Sequence, residues 1–231
     1  MTHDFPPPPR SAEPLFLVPW QVPAFAGLFI AIHAVVTFAP IAWKAWAYSS
    51  LSLVPAMFLT DDPARTWLSV ADLLTYGFLH ADWMHVIVNC ALLMAAAGPV
   101  QRNCGTLGMF LLFALSTIGG GLAHLAVHWG ESNPVIGASA GAAGLIGAAL
   151  RYRARRLSQG EIVAPISRPP VITFTWIWIG LNAAFFLWDR FGGGVVTGFA
   201  SIAHIGGYVA GLLLAGVLVK GARPRPWPPR S

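Results

Sequence analysis

Charge is scarce in this chain. Asp, Glu, Lys and Arg make up only 10% of its 231 residues, against roughly 25% in an average soluble domain. The scarcity is organised. Uncharged runs cover 14–43, 83–101, 103–130, 132–150, 169–188 and 191–219. A helix crossing ~30 Å of hydrocarbon at 1.5 Å per residue needs about 20 apolar residues, and all six runs are near or above that length. A soluble core of this size could bury one such helix but not six. The lack of charge therefore excludes an ordinary soluble domain and predicts an all-α polytopic membrane protein. Cysteine is nearly absent too: Cys90 and Cys104 have neither the spacing nor the setting of a disulfide or zinc site, and read as packing residues. No internal repeat is present, which weighs against a transporter built from inverted halves. No cleavable signal pattern opens the chain; Pro6 to Pro9 and Glu13 precede the first apolar run, which reads as a signal anchor.

The few charges that exist are mostly basic, with a net charge of +5. Their distribution excludes nucleic acid as the explanation. Arg151, Arg153, Arg155, Arg156 and Arg168 fall in one loop, and Lys220, Arg223, Arg225 and Arg230 follow the last apolar run. With six spans, these residues, Arg10 and Arg102 all lie on one side; Lys44, Arg65 and Arg190 are left for the other. This asymmetry predicts that both termini are cytoplasmic. The expected organisation is a disordered Pro-rich N-terminus (1–13), a six-helix membrane domain (14–220) and a basic Pro-rich cytoplasmic tail (221–231). Spans are expected at 20–42, 82–98 (ending at Gly98-Pro99), 107–128, 139–150, 171–188 and 197–219. The outside loop 43–75 carries Trp43, Trp46, Tyr48 and Trp67, with Tyr76 at its end, and is expected to lie partly in the outer leaflet. The fourth span is short, reaching only ~18 Å. It must start below the outer surface, with a non-helical segment near 130–138 dipping to meet it, surrounded by protein or a water-filled cavity.

Spans two, four and six then run from outside to inside. His80, His85 and Asn89 open the second, Ser139 opens the fourth, and His204 lies about two turns into the sixth. All fall in the outer half of the membrane. Ser139 sits in Gly137-Ala138-Ser139-Ala140-Gly141, and His204 in Ala203-His204-Ile205-Gly206-Gly207. A hydroxyl is a weak nucleophile until a base comes close, and small neighbours permit that approach. Taken singly, each has a bland explanation. Serine among glycines commonly packs helices, and a buried histidine often only satisfies a neighbour. Ionisable residues within spans are nevertheless costly and functional by default. Gly207 and Gly211 give the sixth span a GxxxG face and the fourth span has a small-residue face of its own; two such faces let helix backbones approach, so the pair is expected to meet. His85 and Asn89, four apart, share a helical face; with the Ser139 amide they could donate to an oxyanion. As a plain polar pair they would instead lock the second helix to its neighbours. His80 stands near the mouth, where it would organise the loop or water. His124 and His128 have metal-compatible spacing, but no carboxylate or thiolate joins them in the apolar runs, and no metal site is expected. Trp176 and Trp178 are expected to meet lipid or gate access.

At these residues the chain resembles the rhomboid intramembrane serine proteases. The matching text is Phe78-Leu79-His80 through His85 to Asn89, the Ser139 motif with Gly144, and the His204 motif with Gly211, spread over about 130 residues. The resemblance implies a six-helix bundle and a Ser–His dyad without an aspartate: Ser139 as nucleophile and His204 as general base. It implies an oxyanion hole of His85, Asn89 and the Ser139 amide, supported by His80, Gly137, Gly141 and Gly207. It implies no cofactor. The expected partners are transmembrane protein substrates, cut near the outer ends of their helices, and the lipid bilayer itself, in a bacterial inner membrane; the oligomeric state stays open. The alternative is an inactive rhomboid-like protein that binds transmembrane clients. Two departures stand out. The family often carries an aromatic four residues after the serine, where this chain has Ala143, so another group must orient His204. A glutamate usually follows the second span, where this chain has Gln101-Arg102, leaving that loop anchor altered or missing.

Overall fold

A computed structural model describes residues 18–153, 163–191 and 200–219. Within them the chain is helical: α1 (Gln21–Phe38), α2 (Ile41–Leu51), α3 (Pro63–Thr75), α4 (Trp83–Val127), α5 (Ser139–Arg153), α6 (Pro169–Phe191) and α7 (Ser201–Leu214). The only extended pairing among the described residues is a single bridge between Leu53 and Val135. The terminal segments expected at 1–13 and 221–231 lie outside the described residues, as do Arg155 and Arg156.

Helices α1, α4 and α6 are long and apolar enough to cross a membrane, and α7 is a shorter apolar helix. Although continuous by hydrogen bonding, α4 breaks at Gly105 (φ 77°) into arms 83–104 and 106–127, which correspond to the second and third expected spans. The second span does not stop at Gly98-Pro99 as its sequence suggests; the helix runs through Pro99. Proline removes one backbone donor, a loss that membrane helices offset with nearby groups. The reversal beyond it is tied by Gln101, whose Nε2 donates to Gln21 Oε1 at 2.9 Å and to Thr106 Oγ1 at 3.0 Å. A neutral amide thus joins α1 to both arms where the family's glutamate was expected, so the anchor is altered but present.

Helix α5 is the centre of the bundle. Ala140 to Leu145 and Gly147 to Ala149 are buried on every side, as expected of a helix walled in by others. Its neighbours are α4 and α7. Fifteen residues give a length of ~22 Å, short of the hydrocarbon thickness as the sequence predicts. The small residues lie inside and large apolar ones outside: Trp176, Ile177, Leu181 and Trp188 of α6 are all more than half exposed. That inversion suits a surface solvated by lipid.

The expected outside loop contains helices. Asp62 caps α3 by accepting from Ala64 N–H at 2.9 Å, with Pro63 in the first helical position. The α2–α3 unit closes one end of the bundle. Tyr48 donates to the His80 carbonyl at 2.6 Å, and Thr75 to the Leu51 carbonyl at 3.0 Å. The non-helical segment before α5 is paired there as well: Val135 and Leu53 exchange backbone bonds of 2.8 and 3.1 Å, and Ala56 N–H donates to Glu131 O at 2.9 Å. Polar backbone in this position is matched by protein. The first arm of α4, α5 and α7 all begin at this capped end. Arg151 marks the other end, where it donates to the carbonyls of Ala164 and Leu212.

Candidate active site

The starts of α4, α5 and α7 converge beneath the α2–α3 cap. Ser139 is the first residue of α5. His204 lies in the first turn of α7 as described, which begins at Ser201, rather than two turns in; the expected span was placed from 197, four residues before the helix begins. The two side chains meet, with Ser139 Oγ 2.7 Å from His204 Nε2. Both are half-buried, so the pair is sheltered yet reachable.

Gly137 lies two residues before Ser139 and shapes the approach. Its φ is 121°, a conformation in which a side chain would be strained. A Cβ there would also stand 2.7 Å from His85 Nε2 and 3.5 Å from Asn89 Nδ2. The two donors expected from the second span therefore look directly at the backbone that leads into Ser139. His85 Nδ1 accepts a long bond from Ala81 N–H at 3.4 Å, which leaves the ring proton on Nε2, the atom facing Gly137. Asn89 is 2% exposed, and its Nδ2 has no hydrogen-bond partner among the described residues. A buried donor left unmatched costs about 1–3 kcal/mol, so it is poised for an acceptor that arrives from outside. The Ser139 N–H, in the first turn of α5, has no acceptor one turn back within the helix.

His80 is 1% exposed and does not line the opening. Its carbonyl accepts from Tyr48, and its Nε2 accepts from Ala138 N–H at 3.4 Å. It couples the cap to the residue preceding Ser139. The floor is Tyr76, whose carbonyl accepts from Gly137 N–H at 2.9 Å while its hydroxyl donates to Thr117 O at 2.8 Å. Gly141 packs against Phe113 and Thr117, and Gly207 against the Ala140 carbonyl; both set helix approach and neither faces the Ser139–His204 pair.

One residue at the site has no counterpart among the sequence expectations. Asn182 of α6 places Oδ1 3.0 Å from His204 Nδ1. It stands in no motif, and the only signal was that it is the sole amide in the run 169–188. Ala143 is buried at 1% and offers no ring to the imidazole. Trp176 and Trp178 part company: Trp176 is 68% exposed, whereas Trp178 stacks on Tyr208 with centroids 5.6 Å apart. Away from the site, His124 and His128 stack on each other at 4.3 Å, and His128 Nδ1 lies 3.0 Å from Glu131 Oε2. The Cys90 and Cys104 thiols are buried and donate to the carbonyls of Ala26 and Val100.

Comparison with known proteins gives two findings. The family model described as the rhomboid domain matches residues 68–221, more than half of the chain and every residue of the site. RHOMBOID-like protein 4 of Arabidopsis thaliana is 29% identical over 147 residues, which cover 64% of this chain and 34% of that protein. The matched stretch thus spans about a third of that relative's length.

Proposed function

The chain belongs to the rhomboid family and is an integral membrane protein, and from that premise we propose that it is an intramembrane serine endopeptidase working through Ser139 and His204. The observation that carries this reading is the 2.7 Å contact between Ser139 Oγ and His204 Nε2. His204 Nε2 takes the hydroxyl proton as Oγ attacks the scissile carbonyl. The carbonyl oxygen becomes an oxyanion facing His85 Nε2–H, Asn89 Nδ2–H and the Ser139 amide. As the tetrahedral intermediate collapses, the imidazolium gives its proton to the leaving amine, and an ester on Ser139 remains. Water, deprotonated by His204, then releases the acyl product and restores the serine. The chain's own side chains supply every proton transfer, and no cofactor is needed.

The substrates proposed are transmembrane proteins, entered from the bilayer and cut near its outer face. Two features support that placement. The site lies at the end of the bundle opposite Arg151, and arginine-rich ends face the cytoplasm. The half-buried dyad sits where short α5 begins, below a cap that includes the amphipathic helix α3. A helical peptide bond is closed to attack, so segments of low helix propensity near the scissile bond should be cut faster.

The deciding experiment is labelling by a fluorophosphonate probe with mapping of the adduct. Modification of Ser139 in the wild-type protein, and none in Ser139→Ala, is the expected result. A folded wild-type protein that resists the probe and leaves transmembrane segments intact would be a client-binding relative instead. The oxyanion donors make a separate prediction. Asn89→Ala should lower kcat by about 10²- to 10³-fold, the usual cost of one such donor, with KM little changed. His85→Ala should behave alike. Steady-state kinetics on a transmembrane-segment substrate would refute the assignment if either change acted on KM alone.

A further inference from the structure

Helix α6 buries only two of its residues, Val171 and Asn182. An amide turned inward from an otherwise outward-facing helix is costly unless both its ends are matched, so its partners are informative. Asn182 Nδ2 donates to the Trp178 carbonyl, one turn earlier, at 2.9 Å. Only the amide nitrogen can donate to a carbonyl, so this bond fixes which way the amide is turned, and Oδ1 faces α7. There it lies 3.0 Å from His204 Nδ1. Oδ1 has no hydrogen, so Nδ1 must carry one and donate it. A neutral imidazole has a single N–H. With that proton on Nδ1, Nε2 keeps a lone pair, and the lone pair is directed at Ser139 Oγ.

We infer that Asn182 is a positioning residue: its amide oxygen holds His204 in the Nδ1–H form, with Nε2 aimed at the serine. This rests on the endopeptidase reading for its consequence in catalysis, but not for its geometry. The alternative tautomer would present Nε2–H to Ser139 and could not accept the hydroxyl proton. Ala143, where the family often has an aromatic, has no ring to orient the imidazole instead. The residue type also fits the surroundings. A carboxylate would orient the ring as well, yet burying an extra charge in an apolar bundle is costly; a neutral amide gives the orientation without it. Helix α6 meets α7 through the Thr175–Tyr208 contact of 2.9 Å and the Trp178–Tyr208 stack, so the aim of the base depends on how these two helices pack.

Two variants and two measurements test this. Asn182→Leu keeps the side chain's approximate volume and removes the acceptor; Asn182→Asp keeps an acceptor. The expected result is that Asn182→Leu lowers kcat roughly 10²-fold, within the range for impaired general-base catalysis, with KM little changed. Asn182→Asp should recover part of that loss and move the acidic limb of the kcat profile to higher pH, because a carboxylate beside an imidazole favours its protonated form. The second measurement does not depend on turnover. Nitrogen NMR of ¹⁵N-histidine-labelled protein, with His204 assigned from the signals missing in His204→Gln, should show Nδ1 protonated and Nε2 bare near neutral pH. In Asn182→Leu that preference should be lost. An Nε2–H form in the wild-type protein, or unchanged tautomer and kcat in Asn182→Leu, would overturn the inference. Should the wild-type protein neither cleave nor label while its tautomer still depends on Asn182, the endopeptidase reading fails and the positioning of His204 stands.

Discussion

Ser139→Ala and His204→Ala are each expected to lower kcat by about 10⁴- to 10⁶-fold, the range for members of a nucleophile–base unit. The two losses should not add. Without the hydroxyl there is nothing for the imidazole to deprotonate, and without the imidazole the hydroxyl stays protonated. The double variant should therefore fall no lower than either single one. Folding should survive both changes. Ser139 and His204 are half-buried, and replacing them leaves the α5–α7 packing below intact. The proper measurement pairs cleavage of a transmembrane-segment substrate in proteoliposomes with thermal unfolding of each variant. Residual cleavage by Ser139→Ala within tenfold of wild type, in protein of unchanged stability, would remove the serine from the mechanism. A double variant far below both singles would mean that the two side chains act separately, against their 2.7 Å contact.

What the sequence could convey about this molecule follows from which physical requirements are one-dimensional. Bilayer thickness demands long uncharged runs, and those are visible as text; α1, α6 and the arms of α4 fall where the runs are. Ser139, His204, His85 and Asn89 were legible as polar residues that apolar runs do not otherwise tolerate. Helix ends were less so. A charge-free run records where charge is missing and not where hydrogen bonding starts, which is why His204 lies nearer its helix start than the run implied. Gly98-Pro99 carries a stop signal that holds in water, whereas membrane helices absorb proline. The helix α3 was in fact announced by Asp62-Pro63, a cap followed by a residue suited to the first turn, and was masked by the interfacial aromatics around it. Asn182 was legible only as the lone amide of its run, and its role was not. Its role depends on the rotation of α6 against α7 and on the Trp178 carbonyl that turns its amide, and neither is a property of any short stretch of sequence. The departure at Ala143 did show that something must replace a ring, without showing what.

Enlarging Gly211 or Gly144 should disable the protein from inside, without touching the Ser139–His204 pair itself. A Cβ on Gly211 would fall on the Gly144 carbonyl, and one on Gly207 on the Ala140 carbonyl; a Cβ on Gly144 would strike Ser116 and stand 2.8 Å from the Gly207 carbonyl. The obstacles for Gly211 and Gly207 are backbone, which cannot rotate aside, so α5 and α7 must separate. The penalty should reach or exceed the ~1–3 kcal/mol typical of overpacked cores. Separation also acts on chemistry, because α5 carries Ser139 and α7 carries His204. Moving the helices apart by even 1 Å or so lengthens a 2.7 Å hydrogen bond beyond useful range. Gly211→Ala is thus expected to lower both the unfolding temperature and the rate of fluorophosphonate labelling, and Gly211→Val to do so more severely. The control lies in the same molecule. Gly180 of α6 and Gly27 of α1 have nothing within 4 Å of an added Cβ. Alanine there should leave labelling intact and stability equal or slightly raised, since glycine in a helix interior costs about 0.5–1 kcal/mol relative to alanine. Thermal unfolding and probe labelling of Gly211→Ala, Gly180→Ala and Gly27→Ala in parallel would separate backbone contact from helix propensity. Equal behaviour of all three would mean that the α5–α7 approach is not what holds the serine against the histidine.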